Sequence, residues 1–224
     1  TDGVQNTAVG NSAMSVGDAG NTNTGIGGQS LVDVTGDGNT AVGFQSGFNL
    51  TSAVGTVAIG QQAMGLGVVT GNDNIAIGYG AGYDLTSGAE NVLMGRDTAV
   101  NLTTGDNNVM IGQQVGGQTL DVDKSVQIGF AAGNGGNQTS AADGVINIGY
   151  AAGFALTSGQ ANVAVGYESL KAAATSDYNT AVGYQTLLAV NGDGEGGNSA
   201  FGFKAGIALT SGNFNTFIGR TAGF

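Results

Sequence analysis

The sequence predicts an all-β protein, a parallel β-solenoid (β-roll or β-helix) of about 13 coils built on a 17-residue repeat. Three observations predict it. The phrase "NTAVG" stands at residues 6–10, 39–43 and 179–183, with near-copies such as "NTGIG" at 23, "NIAIG" at 74, "NVMIG" at 108, "NVAVG" at 162 and "NTFIG" at 215. The copies recur at a nearly fixed interval, which is the signature of a repeat architecture. The chain has 44 Gly and no Pro, yet 41% of it is hydrophobic, so it can bury a core where a flexible linker cannot. Gly at this level without Pro and without a period of three excludes collagen.

The units start at Asn6, Asn23, Asn39, Thr56, Asn74, Asn91, Asn108, Ser125, Val145, Asn162, Asn179, Asn198 and Asn215. Counting each start as position 1, position 5 is Gly in every unit, from Gly10 to Gly219, and position 4 is always a large apolar residue. Position 8 is small throughout, as in Ala13, Ser30, Ala63 and Ala205, with Val115 the largest. The repeat covers nearly all of residues 1–224, which gives one array and no second domain. Because the chain begins and ends inside the pattern, it is expected to be an excerpt of a longer fibrous protein.

Each unit holds β-branched residues and several Gly and lacks the apolar 3.6-residue stripe of a helical repeat. A short strand, a turn, a second short strand and a second turn fit the unit. Stacking such coils pairs each strand in parallel with its copy one coil along, about 4.8 Å away, and gives a rod of roughly 60 Å. Asn at position 1 is then placed to form a ladder with its copies. The Gly column is expected where the turn needs positive φ or where another backbone approaches too closely for a Cβ. The longer units, across 129–145 and 183–198, place "GNGGNQTSAADG" and "NGDGEGG" as bulging loops between coils.

Side chains alternate along the strand. Positions 2, 4 and often 6 share a face, as in Ile75, Ile77 and Tyr79, and are expected to fill the space between strand layers. Position 3 faces the other way and is mostly Ala. That smooth strip is expected to be buried against sister subunits of a homotrimer. The predicted interface is Ala41, Ala58, Ala76, Leu93, Met110, Gln127, Asn147, Ala164, Ala181, Ala200 and Phe217. Gln127 and Asn147 interrupt it in consecutive coils and are expected to form a buried polar layer there.

Net charge is −11, and the positive residues are only Arg96, Lys124, Lys171, Lys204 and Arg220. So few cations exclude nucleic acid and anionic membrane as natural partners. No apolar run is long enough to span a membrane, so no membrane insertion is expected. Acids beside Gly or Asn, as in "TGDGN", "TGDNN" and "NGDGEGG", are expected to be solvated turn residues. Without His or Cys the usual nucleophilic triads and zinc sites are excluded. The nearest carboxylate pairs, Asp121 with Asp123 and Asp193 with Glu195, fall in variable stretches. Gly192, Gly194 and Gly197 satisfy GxGxxG, but no strand-to-helix setting surrounds them, so they are expected to form a loop. No catalytic, cofactor-binding or metal-binding residue is assigned. The aromatics at position 6 (Phe44, Tyr79, Phe130, Tyr150, Tyr167, Tyr184 and Phe203) are expected to pack in the core, the alternative being a carbohydrate-stacking stripe. Thr ranks in "LTSG" or close variants near 50, 85, 102, 156 and 209 have the form of an ice-binding array, but with gaps.

The phrases "NTAVG", "NIAIG" and "NVAVG", with a small residue three places after the Gly, resemble the head repeats of trimeric autotransporter adhesins. "NIAIGYGAGYDLTSG" (74–88) and "NSAFGFKAGIALTSG" (198–212) look still more like repeats of phage tail fibres and related virion appendages. The resemblance implies three chains around a shared axis. It implies a non-catalytic structural or adhesive fibre on a virion surface, or an extracellular or cell-surface one, that presents weak sites multivalently to a host-surface glycan or protein. The head of a bacterial trimeric adhesin is the alternative, and an ice- or polysaccharide-binding solenoid the second.

Overall fold

The computed structural model describes residues 3–16, 19–192 and 195–224. Thirteen three-residue strands occupy the expected places. The first six are β1 (Thr7–Val9), β2 (Thr24–Ile26), β3 (Thr40–Val42), β4 (Val57–Ile59), β5 (Ile75–Ile77) and β6 (Val92–Met94). They are followed by β7 (Val109–Ile111), β8 (Val126–Ile128), β9 (Ile146–Ile148) and β10 (Val163–Val165), and then by β11 (Thr180–Val182), β12 (Ser199–Phe201) and β13 (Thr216–Ile218). They form one parallel sheet in sequence order, the topology of a β-solenoid. Like positions pair throughout: Thr40 with Val57, Ala41 with Ala58, Val42 with Ile59. The longest unit keeps this register, since Gln127 still pairs with Asn147. Its extra residues leave the coil as a loop containing the single helical turn among the described residues, the 3-10 turn Ser140–Ala142.

Strands stop after three residues because position 5 departs from extended geometry. Gly43 has φ +136°, and a Cβ on it would stand 2.6 Å from the carbonyl oxygen of Gly60. Both expected reasons for glycine apply at once: a backbone angle that L side chains rarely adopt, and a neighbouring coil too close for a methyl group. Hydrogen bonding between coils does not end with the strand. The Gln45 N–H donates to Gly28 O, and the Thr86 N–H to Thr103 O. The turns are thus paired coil to coil much as the sheet is.

Position 1 supplies the second interlock. Asn91 Oδ1 accepts from the Asn108 N–H and Nδ2 at 3.0 Å each, while Asn91 Nδ2 donates to Gly105 O at 2.8 Å. One buried side chain therefore binds the strand start of the next coil and the last turn of its own. The ladder runs Asn6–Asn23–Asn39, then Asn74–Asn91–Asn108, then Asn162–Asn179–Asn198–Asn215. Thr56 and Val145 interrupt it, and the Thr56 hydroxyl is buried without a partner.

The faces are the reverse of those expected. Ala41, Ala58, Ala76, Leu93, Met110, Gln127, Asn147, Ala164, Ala181 and Ala200 are 0% exposed in a single chain. Their side chains point into their own coil and leave nothing for a sister subunit to cover. Phe217, in the last coil, is half-buried and packs against the same core. The physical reason is that the coil is narrow. Its interior also takes position 8 and the large residues that come round from the turns, such as Leu31, Leu50, Met64, Leu85 and Leu170. Opposite them the strand mostly carries Ala, with Leu93, Met110, Gln127 and Asn147 the larger buried residues at that position.

Candidate functional site: the outer face of the sheet

Positions 2 and 4 face outward on every strand, and none of them is charged in any of the thirteen units. Position 2 is Val, Ile, Thr or Ser. Position 4 is Val, Ile, Met or Phe, and Val9, Ile26, Ile59, Met94, Phe201 and Ile218 are exposed. A sheet with one solvated face normally alternates apolar-in with polar-out. Here the outward face carries no charge: position 4 is apolar on every strand, and position 2 is Val or Ile on seven strands and Thr or Ser on six. All sixteen acids lie elsewhere in the repeat.

Beside this face stands the position 6 column. The expectation of core packing fails: its seven aromatics are between 41% and 50% exposed. The cause is the position 5 glycine, after which the chain turns a corner and aims position 6 outward. Five of the rings form an unbroken stack. Centroids are 5.5 Å apart from Phe130 to Tyr150, 4.8 Å from Tyr150 to Tyr167, 5.1 Å from Tyr167 to Tyr184 and 5.3 Å from Tyr184 to Phe203. The planes are within 10° of parallel, so the inner rings cover one another's faces and present only edges to solvent. A sugar that needs a ring face finds none inside this stack. The end of the stack is capped by Lys204 and Arg220, which sit 5.3 and 5.7 Å from the Phe203 ring. Tyr79, outside the stack, carries the Arg96 guanidinium at 5.9 Å.

Position 7 forms a polar rank next to the rings. Gln45 Nε2 donates to Gln29 Oε1 at 3.0 Å, Gln62 Nε2 to Gln45 Oε1 at 3.2 Å, and Gln185 Nε2 to Glu168 Oε2 at 2.8 Å. Lys171 Nζ donates to Glu168 Oε1 at 2.6 Å. These bonds hold the Glu168 carboxyl below its ordinary pKa, Lys171 contributing most, and raise that of Lys171 in turn.

Several residues singled out in the sequence are occupied with structure. Turn acids are more than solvated: Asp37, Asp106, Asp123, Asp143 and Asp177 each accept a backbone N–H from the preceding coil. Asp121 accepts the Ser140 N–H at 2.9 Å, so the Asp121–Asp123 pair serves two different neighbouring coils. Asp193 and Gly194 lie outside the described residues, which leaves the Asp193–Glu195 pair and the GxGxxG phrase without a structural account. Among the described residues no group of three or more His, Cys, Asp or Glu is placed to hold a metal ion. No helix among them is long and apolar enough to cross a membrane. The Thr86, Thr103 and Thr157 hydroxyls donate to carbonyls of the next coil at 2.9, 3.0 and 2.9 Å. Each of these hydroxyl protons is thus used between coils, while the oxygens keep their acceptor capacity.

The buried polar layer is present, but inside one chain. Gln127 Nε2 donates to Gln138 Oε1 at 2.6 Å. Gln127 Oε1, Gln138 Nε2 and both amide atoms of Asn147 are buried without a partner. The layer falls where one apolar cluster, ending at Val145 and Leu156, gives way to a second that starts at Ala152 and Ala164.

The fold and its surface define a class, the parallel β-solenoid repeat proteins. No protein-family model, curated protein or solved structure matches the chain.

Proposed function

We propose that this chain is a non-catalytic, stiff segment of a surface fibre, three copies of which pack together through the outer faces of their sheets. The fibre is a virion appendage of the tail-fibre kind; a bacterial adhesin head is the same rod carried on a different anchor. Its role is reach and multivalent attachment to a host surface, with the avidity that several weak sites on one rigid body provide.

The observation that carries this reading is the outer face formed by positions 2 and 4. It is uncharged over all thirteen strands of a molecule whose net charge is −11, and carries a large apolar residue at position 4 in every one. A contiguous exposed apolar surface of this kind marks an interaction site. Its uniformity along the axis suits a partner with the same repeat, which is another copy of the chain. The small strip at position 3 has no part in the contact.

Solution mass by light scattering tests the reading. The expected species contains three chains. The substitutions Ile111→Lys and Val163→Lys, on outward positions of β7 and β10, are expected to yield monomers whose circular dichroism keeps the β signal. A wild-type chain that remains monomeric at high concentration sinks the proposal.

A further inference from the structure

The position 7 rank lacks a polar side chain at Gly80, Ala131 and Ala151, and only at Gly80 is the rung missing altogether. Gln29, Gln45, Gln62, Asp97 and Gln114 line up along it, but the unit between Gln62 and Asp97 has Gly80. Backbone geometry does not require glycine there. Gly80 has φ +60°, and Gln45, Gln62, Asp97 and Gln114 hold φ 54°, 57°, 53° and 56° with full side chains. What the glycine changes is space. A cleft of about 230 Å³ opens at this point, lined by Gln62, Tyr79, Gly80, Tyr83, Asp97 and Val100.

A second cleft of about 290 Å³ adjoins it along the rod. It shares Asp97 and Val100 and adds Asn101, Gln114, Gln118 and Asn134 among its walls. Together the two fall within the size range of small-molecule sites, about 300–1,000 Å³. Asp97 and Val100 stand between the two halves, and the Asp97 Oδ1 borders the space at Gly80.

We infer that this double cleft is a carbohydrate site that takes a linear, neutral oligosaccharide along the rod axis. The chemistry of the walls selects that class. Two tyrosines line the first half; Arg96 lies over the Tyr79 ring at 5.9 Å, which leaves Tyr83 as the main apolar surface for the C–H face of a pyranose, while both hydroxyls are polar. Five amide side chains line the walls; Gln62 and Asn101 each already donate an N–H within the chain, to Gln45 Oε1 and Gly117 O, and the set still offers both donors and acceptors to hydroxyl groups. The Asp97 carboxylate accepts from a pair of neighbouring hydroxyls. Anions are disfavoured: the nearby cation, Arg96, is already 3.2 Å from Asp97, and the chain as a whole is strongly negative. Positions 6, 7, 10 and 11 form the cleft, while positions 2 and 4 form the face given above to chain packing, so one site per chain stays open in the assembled rod.

This inference rests on the attachment reading but not on three-chain assembly. It is tested by calorimetric titration of the full 224-residue chain with cellotriose, maltotriose, mannotriose and chitotriose, with sialyllactose as the acidic arm. The expected result is binding of at least one neutral trisaccharide. Gly80→Gln, which restores the rung in a conformation glutamine already adopts at Gln62, is expected to weaken it by about tenfold or more. Tyr83→Ala is expected to weaken it as well, which keeps the test open if Gly80→Gln folds poorly. Oligomer mass and circular dichroism are expected to stay unchanged in both. The inference is overturned if none of the neutral sugars binds, if sialyllactose alone binds, or if Gly80→Gln folds and binds as the wild type does. A monomeric chain that binds the sugar overturns the assembly and leaves the site standing; an intact trimer without binding does the reverse.

Discussion

The sulfur of Met110 lies 2.8 Å from the point where a Cβ on Gly116 would stand. The two residues face each other across the interior of one coil, Met110 from the strand and Gly116 from the turn after it. The same trade recurs along the rod. Leu93 Cδ1 is 2.8 Å from the Cβ position of Gly82 in the coil before it. Where the strand residue is small, as at Gly25, Ala58, Ala164 and Ala181, the turn supplies Leu31, Met64, Leu170 and Leu187. Core density is conserved coil by coil while the individual positions vary.

Gly116→Ala is therefore expected to destabilise the chain by roughly 1–3 kcal/mol through overpacking. Met110→Ala is expected to cost about 2–5 kcal/mol by leaving a cavity. The double variant is expected to cost less than the two together, by at least about 0.5 kcal/mol, because each change relieves the other. Urea unfolding of the four proteins measures this coupling. Strict additivity would mean that the two side chains do not share space.

Thr56 leaves a gap in the asparagine ladder between Asn39 and Asn74, with its hydroxyl buried and unpartnered. Thr56→Asn is expected to join the two segments and to stabilise the fold by about 1 kcal/mol, the net worth of a buried hydrogen bond. A higher denaturation midpoint at an unchanged slope is the readout, and a lower midpoint goes against the ladder as a source of stability.

Tyr167 sits in the middle of the aromatic stack, 4.8 Å from Tyr150 and 5.1 Å from Tyr184. Tyr167→Ala removes two ring contacts, and each such pair contributes about 0.5–1.5 kcal/mol beyond area burial. A loss of roughly 1–3 kcal/mol is expected, with collapse of the near-ultraviolet dichroism that stacked tyrosines produce. Retention of that signal in the variant would contradict the stack.

Glu168 is held below its ordinary value of 4.5 by its bonds to Lys171 and Gln185. A carboxyl whose folded pKa is depressed stabilises the fold above its unfolded pKa, and that stabilisation fades as pH falls through the folded value. Acid titration of unfolding is expected to show a decline beginning near pH 4.5 and continuing below it. In Lys171→Met the part of this decline due to Glu168 is expected to shrink. An identical pH profile in the variant removes the pair from any role in acid sensitivity.

The period, the strand positions and the glycine column are legible in the sequence because each is a local demand repeated thirteen times. β-branched residues favour the strand, and a backbone corner at position 5 admits only glycine. The Asn ladder is legible for a related reason: parallel stacking in register places identical residues over one another, and an amide is the side chain that gains most from its own copy. Two features are not legible. Leu31, Leu170 and Leu187 hold φ 47°, 49° and 48°, which their residue type disfavours and only the hydrogen bonds from neighbouring coils enforce.

The other is which face of the strand lies inside. Strict alternation separates Ala41, Ala58 and Ala76 from Val42, Ile59 and Ile77, but it carries no sign, and hydrophobicity points the wrong way because the larger apolar residues are on the outward face. Tertiary structure decides it through the width of the coil. Leu50 and Leu85 come round from the turns to fill the interior, so in most coils a small side chain stands opposite. Larger ones such as Leu93 and Met110 enter where the turn is small, and the Val and Ile residues of positions 2 and 4 lie outward. The repeat by itself thus determined the solenoid and its register. The closed coil alone determined that the Val and Ile face is the one turned outward, and that a single missing side chain at Gly80 opens a cleft.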